Sequence, residues 1–163
     1  MSAAGKGAAG TAGDGGSVTL RKAVGADTPA VLDLLRAADL PVDGVPDVLT
    51  HLVVAVRDSG AGSEIVGAVA LERHGSAALL RSTVVAPSMR GTGLGERLVR
   101  RALEDARTQA LEELVLLTTT AAEWFPRFGF ERIARDEAPA SLLASDEFQF
   151  ACPASAVVMR FKV

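Results

Sequence analysis

The chain is 163 residues long, 48% hydrophobic and 23% charged, the length and balance of one soluble domain with its own core. Lys and Arg number 17 against 20 Asp and Glu, a net charge of -3 that lacks the basic excess of a general nucleic-acid binder. One cysteine, Cys152, and two distant histidines, His51 and His74, exclude an internal disulfide and a cysteine-cluster site, so no metal is expected.

Residues 1–16 read MSAAGKGAAGTAGDGG; 11 of them are Gly or Ala, and none is Leu, Ile, Val or Phe. With nothing to bury they predict a disordered tail, leaving 17–163 as the folded domain. The tail lacks the apolar stretch of a secretion signal, and no run approaches the ~20 apolar residues of a membrane span. A cytoplasmic protein with no membrane partner is expected.

From Ser17 the sequence alternates, with Val18 and Leu20 against Thr19 and Arg21, the period of a half-buried strand. Asp27 then stands as an N-cap with Pro29 in the first turn, and Val31, Leu34, Leu35 and Ala38 give a helix to about Asp39. Pro41 stops it. A short helix is predicted over 45–50, then strands over 52–57 and 64–72 joined by the turn DSGAGS. A third apolar run, 77–86, ends at Pro87. Leu94, Leu98, Leu103 and Ala106 stripe a helix to about Ala110. A buried strand over 113–119, a helix over 121–128, a short strand over 130–134 and a final alternating strand through Val157, Met159, Phe161 and Val163 complete the order. Strands and helices interleaved in this way give a mixed α/β (α+β) domain.

The stretch from Leu79 to Val99 carries the chemistry. A buried strand runs into a loop with Gly91, Gly93 and Gly95, and a helix starts at once. Glycines let successive backbone N–H groups converge, and the helix start adds partial positive charge, so together they suit a phosphate or pyrophosphate. Arg90 at the lip adds a charge-assisted donor. A P-loop would need a Lys after its last glycine, and none follows. A dinucleotide fingerprint would need a third glycine where Glu96 stands. What remains is Arg/Gln-x-x-Gly-x-Gly, met by Arg90, Gly93 and Gly95, with a ligand-free glycine turn as the plain alternative.

At these residues the sequence resembles the GCN5-related N-acetyltransferases (GNAT), whose loop for the pyrophosphate of acetyl-CoA has this form. A second motif agrees. LLTTTAAEWFPRFGF, Leu116 to Phe130, is similar to the family's later strand and helix, which end in Phe-Tyr-x-Lys/Arg-x-Gly-Phe; Trp124, Phe125, Arg127, Gly129 and Phe130 match. Simple core packing is the alternative for both aromatics. With FQFACPASAVVMR, the combination resembles the arsenic-resistance N-acetyltransferase-like branch and, more distantly, the acetyltransferase domain of N-acetylglutamate synthase.

The resemblance implies a twisted, mostly antiparallel sheet flanked by helices. It implies acetyl-CoA as cosubstrate, entering where the strand ending near Ala86 diverges from the strand around Leu116. The acceptor would be a small amino-acid-like primary amine, such as an arsenic- or phosphorus-containing analogue, acetylated by direct attack. Val84 and Val85 match the backbone that holds the thioester carbonyl, with the Val85 amide as the catalytic group. Arg90, Gly91, Thr92, Gly93, Leu94 and Gly95 match the pyrophosphate loop, and Thr119 and Phe125 the opposite side of the cofactor. Phe125 stands where many relatives have a proton-donating tyrosine, and this chain has no tyrosine. The strand carboxylate some relatives use as base falls near Leu79, which is apolar, so Glu72, His74 and Glu123 are the fallback bases.

Arg81, charged on an apolar strand, is expected to bind a substrate carboxylate or to sit in a structural ion pair. Ser155 is a second candidate for that carboxylate, or a turn serine. Cys152 reads as an inert thiol. The stretch from Arg135 to Glu147 is expected to rim the substrate side, and the last strand offers an edge for a homodimer. Two rivals stand beside the enzyme reading: a CoA-binding regulatory module, and a peptide or protein acetyltransferase.

Overall fold

The computed structural model describes residues 16–151 and 153–163. The expected tail therefore lies outside the described residues except for Gly16, and so does Cys152. Two layers of helix cover a seven-stranded sheet of order β1-β2-β3-β4-β5-β7-β6. Its strands are β1 (Val18–Lys22), β2 (Leu52–Ser59), β3 (Gly62–His74), β4 (Ala77–Val85), β5 (Glu113–Thr118), β6 (Glu131–Ile133) and β7 (Val157–Lys162). Every pairing is antiparallel except β4 with β5.

Alternation along β2 distributes the core. Val53 and Ala55 join one cluster with Leu98, Val99, Ala102 and Ala106 of α2 (Leu94–Thr108). Leu52, Val54 and Val56 join another with Val31 and Leu35 of α1 (Thr28–Ala37). Successive strand residues face opposite ways, so each helix covers its own side of the sheet. A third cluster closes over Leu79 and Val115 with Leu142 and Phe148.

The structure departs from or refines the sequence expectations in four places. Residues 121–128 are not one helix: a turn leads into a 3-10 helix, Phe125–Phe128, because Pro126 has no N–H to donate and its ring clashes with the preceding turn. Residues Val45–His51 are likewise 3-10, opening on Gly44 and Pro46. The stretch expected to be a rim holds a short helix, α3 (Ala140–Leu143), and then a π-helical turn, Glu147–Ala151. Finally, β7 is an inner strand: β5 runs along one edge, and β6 covers Val158–Arg160 of the edge expected to be open. Among the described residues no helix is long and apolar enough to cross a membrane.

Candidate active site

The site begins with an interrupted ladder. Ala70 pairs with Arg81 and Ala68 with Val84, so Val69 alone faces Ser82 and Thr83, and Ser82 takes a left-handed φ of 57°. This bulge in β4 re-aims the strand. On the other edge, β4 and β5 pair over only three positions, Ala77 with Glu113 to Leu79 with Val115. Beyond them the two strands part. The gap is a cleft of about 590 Å³, floored by Leu80–Val85 on one side and Leu116–Thr120 on the other.

Val85 presents its backbone to that gap. Ala86 N–H donates to the Val66 carbonyl at 2.8 Å, which makes that pair the hydrogen-bonded one. Bonded and non-bonded pairs alternate in an antiparallel ladder, so Val85, opposite Gly67, turns its N–H and C=O away from β3 toward the side β5 has left.

Past Ala86 the chain makes a 3-10 turn, Pro87–Met89, and reaches Arg90, whose side chain lines the cleft. Gly91 and Gly93 have φ of 79° and 85°, a region that favours glycine, and Gly93 caps α2. Thr92 Oγ1 donates to the Met89 carbonyl at 2.6 Å and pins the loop. The Leu94 side chain is buried, so Leu94 offers the outside its N–H. The first-turn N–H groups of a 15-residue helix have no intrahelical acceptor and carry its positive dipole end. Gly95 joins this loop to the cleft: a Cβ there would lie 3.5 Å from the Trp124 ring and 3.6 Å from Val85. Two left-handed glycines and a helix start beside the Val85 side chain are the kind of backbone that can accept an anion.

Across the cleft, Thr118 Oγ1 accepts from Ala121 N–H at 2.9 Å, ending β5 and leaving Thr119 exposed on the lining. Trp124 stacks edge-on to Phe125 at 5.0 Å and Phe128 at 4.9 Å between ring centres. Phe125 packs in the core, one of the two roles that the sequence left open, and also lines the cleft.

The far end holds buried charge. Arg81 Nη1 donates to Glu72 Oε2 at 2.7 Å, its Nε lies 3.3 Å from Glu147 Oε2, and its Nη2 donates to the Asp43 carbonyl. The side chain is 4% exposed. These are the ion-pair surroundings that the sequence set beside carboxylate binding. Glu72 also meets His74 Nε2 at 2.8 Å. Burial pushes the Glu72 carboxyl up, but the hydrogen bonds from Arg81 and His74 outweigh it and hold it below the usual carboxylate range.

Of the other expected residues, Glu123 sits on the surface paired with Arg132 at 2.6 Å. Ser155 is exposed in a turn outside the lining, although Pro153 and Ala156 line the cleft. Sequence reasoning missed Glu147, which lines the cleft while nearly buried, and Asp39, an exposed residue that also lines it, with a left-handed φ of 56°. The only signal for Glu147 was its place at the end of the predicted rim. Among the described residues no group of three or more His, Cys, Asp or Glu is arranged to hold a metal ion.

Comparison with known proteins agrees with this geometry. Residues 49–132 match the family described as acetyltransferase (GNAT) domain. An amino-acid acetyltransferase of Ralstonia nicotianae is 42% identical over 55 residues, 34% of this chain and 12% of that protein. The same enzyme of Edwardsiella ictaluri is 35% identical over 78 residues, 48% of this chain and 17% of that protein. The chain thus spans less than a fifth of these curated relatives' length. Among solved structures, N-acetylglutamate synthase from Neisseria gonorrhoeae, complexed with coenzyme A and L-arginine, superposes with a TM-score of 0.74 at 22% identity, over 90% of this chain and 33% of that one. The Mycobacterium tuberculosis protein Rv2747, in complex with CoA, gives 0.75 at 23% identity, over 89% and 99%.

Proposed function

The chain belongs to the GNAT acetyltransferase family, and from that premise we propose that it moves an acetyl group from acetyl-CoA to the primary amine of a small, amino-acid-like acceptor by direct attack. One observation carries the reading: the Val85 amide faces the opened gap, and the Val85 side chain lies beside Gly95 of the loop that starts α2. Phosphate-binding and carbonyl-polarising backbone thereby share one cleft.

Acetyl-CoA supplies an activated thioester carbonyl. The first-turn N–H groups from Leu94 onward, with Arg90, Gly91, Thr92, Gly93 and Gly95, hold the pyrophosphate. Val84 and Val85 line the thioester, and the Val85 N–H stabilises the oxygen on which charge develops, a contribution of ~3 kcal/mol for one preorganised donor. Thr119 and Phe125 form the opposite wall. Phe125 has no hydroxyl to give, so the thiolate leaves as an anion, which a thiol pKa of about 8.5 permits. An α-amine has a pKa of about 7.7–8.0 in a peptide and a higher one in a free amino acid, and its proton leaves through ordered water without a dedicated strand carboxylate. The amino-acid character of the acceptor rests on the relatives, and arsenic- or phosphorus-containing amino acids are the finer form of that reading.

Release of CoA thiol from acetyl-CoA against a panel of amines tests this reading. The panel holds glutamate, phosphinothricin-type and arsenic-containing amino acids, and a lysine peptide. A Cys152→Ser background keeps the detecting dye off the protein. Turnover with an α-amino acid supports the proposal. Turnover with the peptide alone moves it to peptide acetylation, and release with no amine removes the transfer reaction.

A further inference from the structure

One buried guanidinium gathers several walls of the cleft. Each of its three nitrogens finds a partner in the chain: Nη1 donates to Glu72 Oε2 of β3 at 2.7 Å, Nη2 donates to the Asp43 carbonyl, and Nε lies 3.3 Å from both Ser82 Oγ and Glu147 Oε2. The fork is planar and rigid, so one orientation of Arg81 serves all of these contacts together. Glu72 is itself held at its other oxygen by His74 Nε2 at 2.8 Å. With the side chain 4% exposed, the guanidinium presents little surface to a carboxylate from solution.

The contacts fall on segments that the apolar core does not join. Asp43 and Gly44 lie in the loop after α1, where Gly44 takes a φ of 76° and a Cβ would come within 3.3 Å of Arg81 Nη1. That loop is seated closely on the guanidinium, and residues 38–41 just before it line the cleft. Ser82 is the left-handed residue of the β4 bulge, and Glu147 opens the π-helical turn; both line the cleft as well. Val45, beside the loop, packs in the cluster with α1, whereas Phe148, beside Glu147, packs with Leu79 and Leu142. No apolar cluster among the described residues holds both.

We propose that Arg81 is the positioning residue for the acceptor's part of the cleft: its guanidinium holds the loop after α1, the β4 bulge and the turn at Glu147 in register, so that the walls the amine meets keep one spacing. The proposal rests on the transfer reaction above and deepens it, since it assigns Arg81 to the wall and not to a substrate carboxylate. Arg81 touches no reacting atom.

Arg81→Lys tests it, because Lys keeps the charge but not the fork that reaches three segments. Steady-state kinetics compare the best α-amino acid of the panel with its carboxamide, which has the same amine and no carboxylate. The expected result is a fall in kcat/KM of about tenfold to a hundredfold for both acceptors alike, the scale of a misplacement on the order of 1 Å, with the Kd for CoA by calorimetry unchanged. A fall for the acid alone returns Arg81 to carboxylate binding and overturns the proposal. So does kcat/KM kept for both, which leaves Arg81 a stability residue, or a CoA Kd weakened by the same factor. Hydrogen exchange of the same variant decides independently of turnover. Residues 43–47 and 147–149 should exchange faster together while α2 keeps its wild-type protection, and unchanged exchange at either segment overturns the tie. Should Arg81→Lys not fold, Gly44→Ala disturbs the same seat from the loop side and is read in the same way. Wild-type protein that transfers acetyl to no amine sinks the reaction itself, and the exchange result then still decides the tie.

Discussion

Gly67 lies opposite Val85 in the β3–β4 ladder, and the space a side chain would need at Gly67 is already filled. A Cβ there would come within 3.0 Å of both the Leu98 side chain of α2 and the Val84 carbonyl of β4. The bare backbone of β3 thus lets α2 and β4 approach at the point where the candidate oxyanion donor is presented. The packing of the core and the aim of the Val85 amide are one geometric arrangement.

Gly67→Ala must move α2 or β4. Overpacking of this kind costs about 1–3 kcal/mol. We expect a lower Tm by thermal unfolding together with a lower kcat, because either movement displaces Val85. A variant as stable and as active as the wild type would show that the approach is not required.

Val85→Pro removes the N–H, which is turned away from β3 and makes no bond in the ladder, and also fixes φ and replaces the side chain beside Gly95. The expected result is a fall in kcat of about a hundredfold, the effect of deleting one oxyanion donor, with CoA affinity retained. A kcat near the wild-type value would place carbonyl polarisation elsewhere.

Gly93→Ala puts a side chain at φ 85°, where an L-residue costs about 1–2 kcal/mol. Relaxation of that turn shifts the start of α2. CoA should bind about tenfold more weakly by calorimetry, while the amine KM changes little. Equal weakening of both would mean that the loop serves the whole cleft and not the pyrophosphate alone.

Acid should unfold the protein through two carboxylates. Arg21 hydrogen-bonds Asp27 at 2.7 and 3.0 Å, and this, with the Val24 N–H, outweighs the upward push of burial and holds Asp27 below its ordinary range. Burial likewise pushes Glu72 up, and Arg81 and His74 hold it down. Between the lowered folded value and the ordinary one, the unfolded chain binds more protons, so stability rises with pH across that window. It is full above the ordinary carboxylate range and is lost as pH falls below about 5 through the folded values. Thermal unfolding from pH 7 to pH 3 should show this loss, and Asp27→Asn with Glu72→Gln should flatten it. An equal slope in that double variant would assign acid unfolding to other groups.

The parts of the molecule that follow local rules are readable from the sequence. The stripe through Leu94, Leu98, Leu103 and Ala106 is the buried face of α2, and Gly91 and Gly93 occupy the left-handed turns their composition suggests. The site's selective end obeys no such rule. Ser82 sits in a strand run, LLRSTVV, that reads as continuous, and the bulge is visible only in the pairing with β3, where Val69 faces two residues. Glu147 reaches Arg81 only after the chain has laid down β5, β6 and α3 between them, so no spacing in the sequence encodes that contact.

The three-pair junction between β4 and β5 also divides the sheet into two panels, of four strands and three, joined along a narrow seam. Leu79 and Val115 at the end of that seam are fully buried in one cluster with Leu142 of α3, from the stretch that reads as a rim, and Phe148 just after it. That stretch is a clasp. A nick within it would free both panels to swing, and hydrogen exchange at the Leu79 and Val115 amides would report the release well before either panel melted.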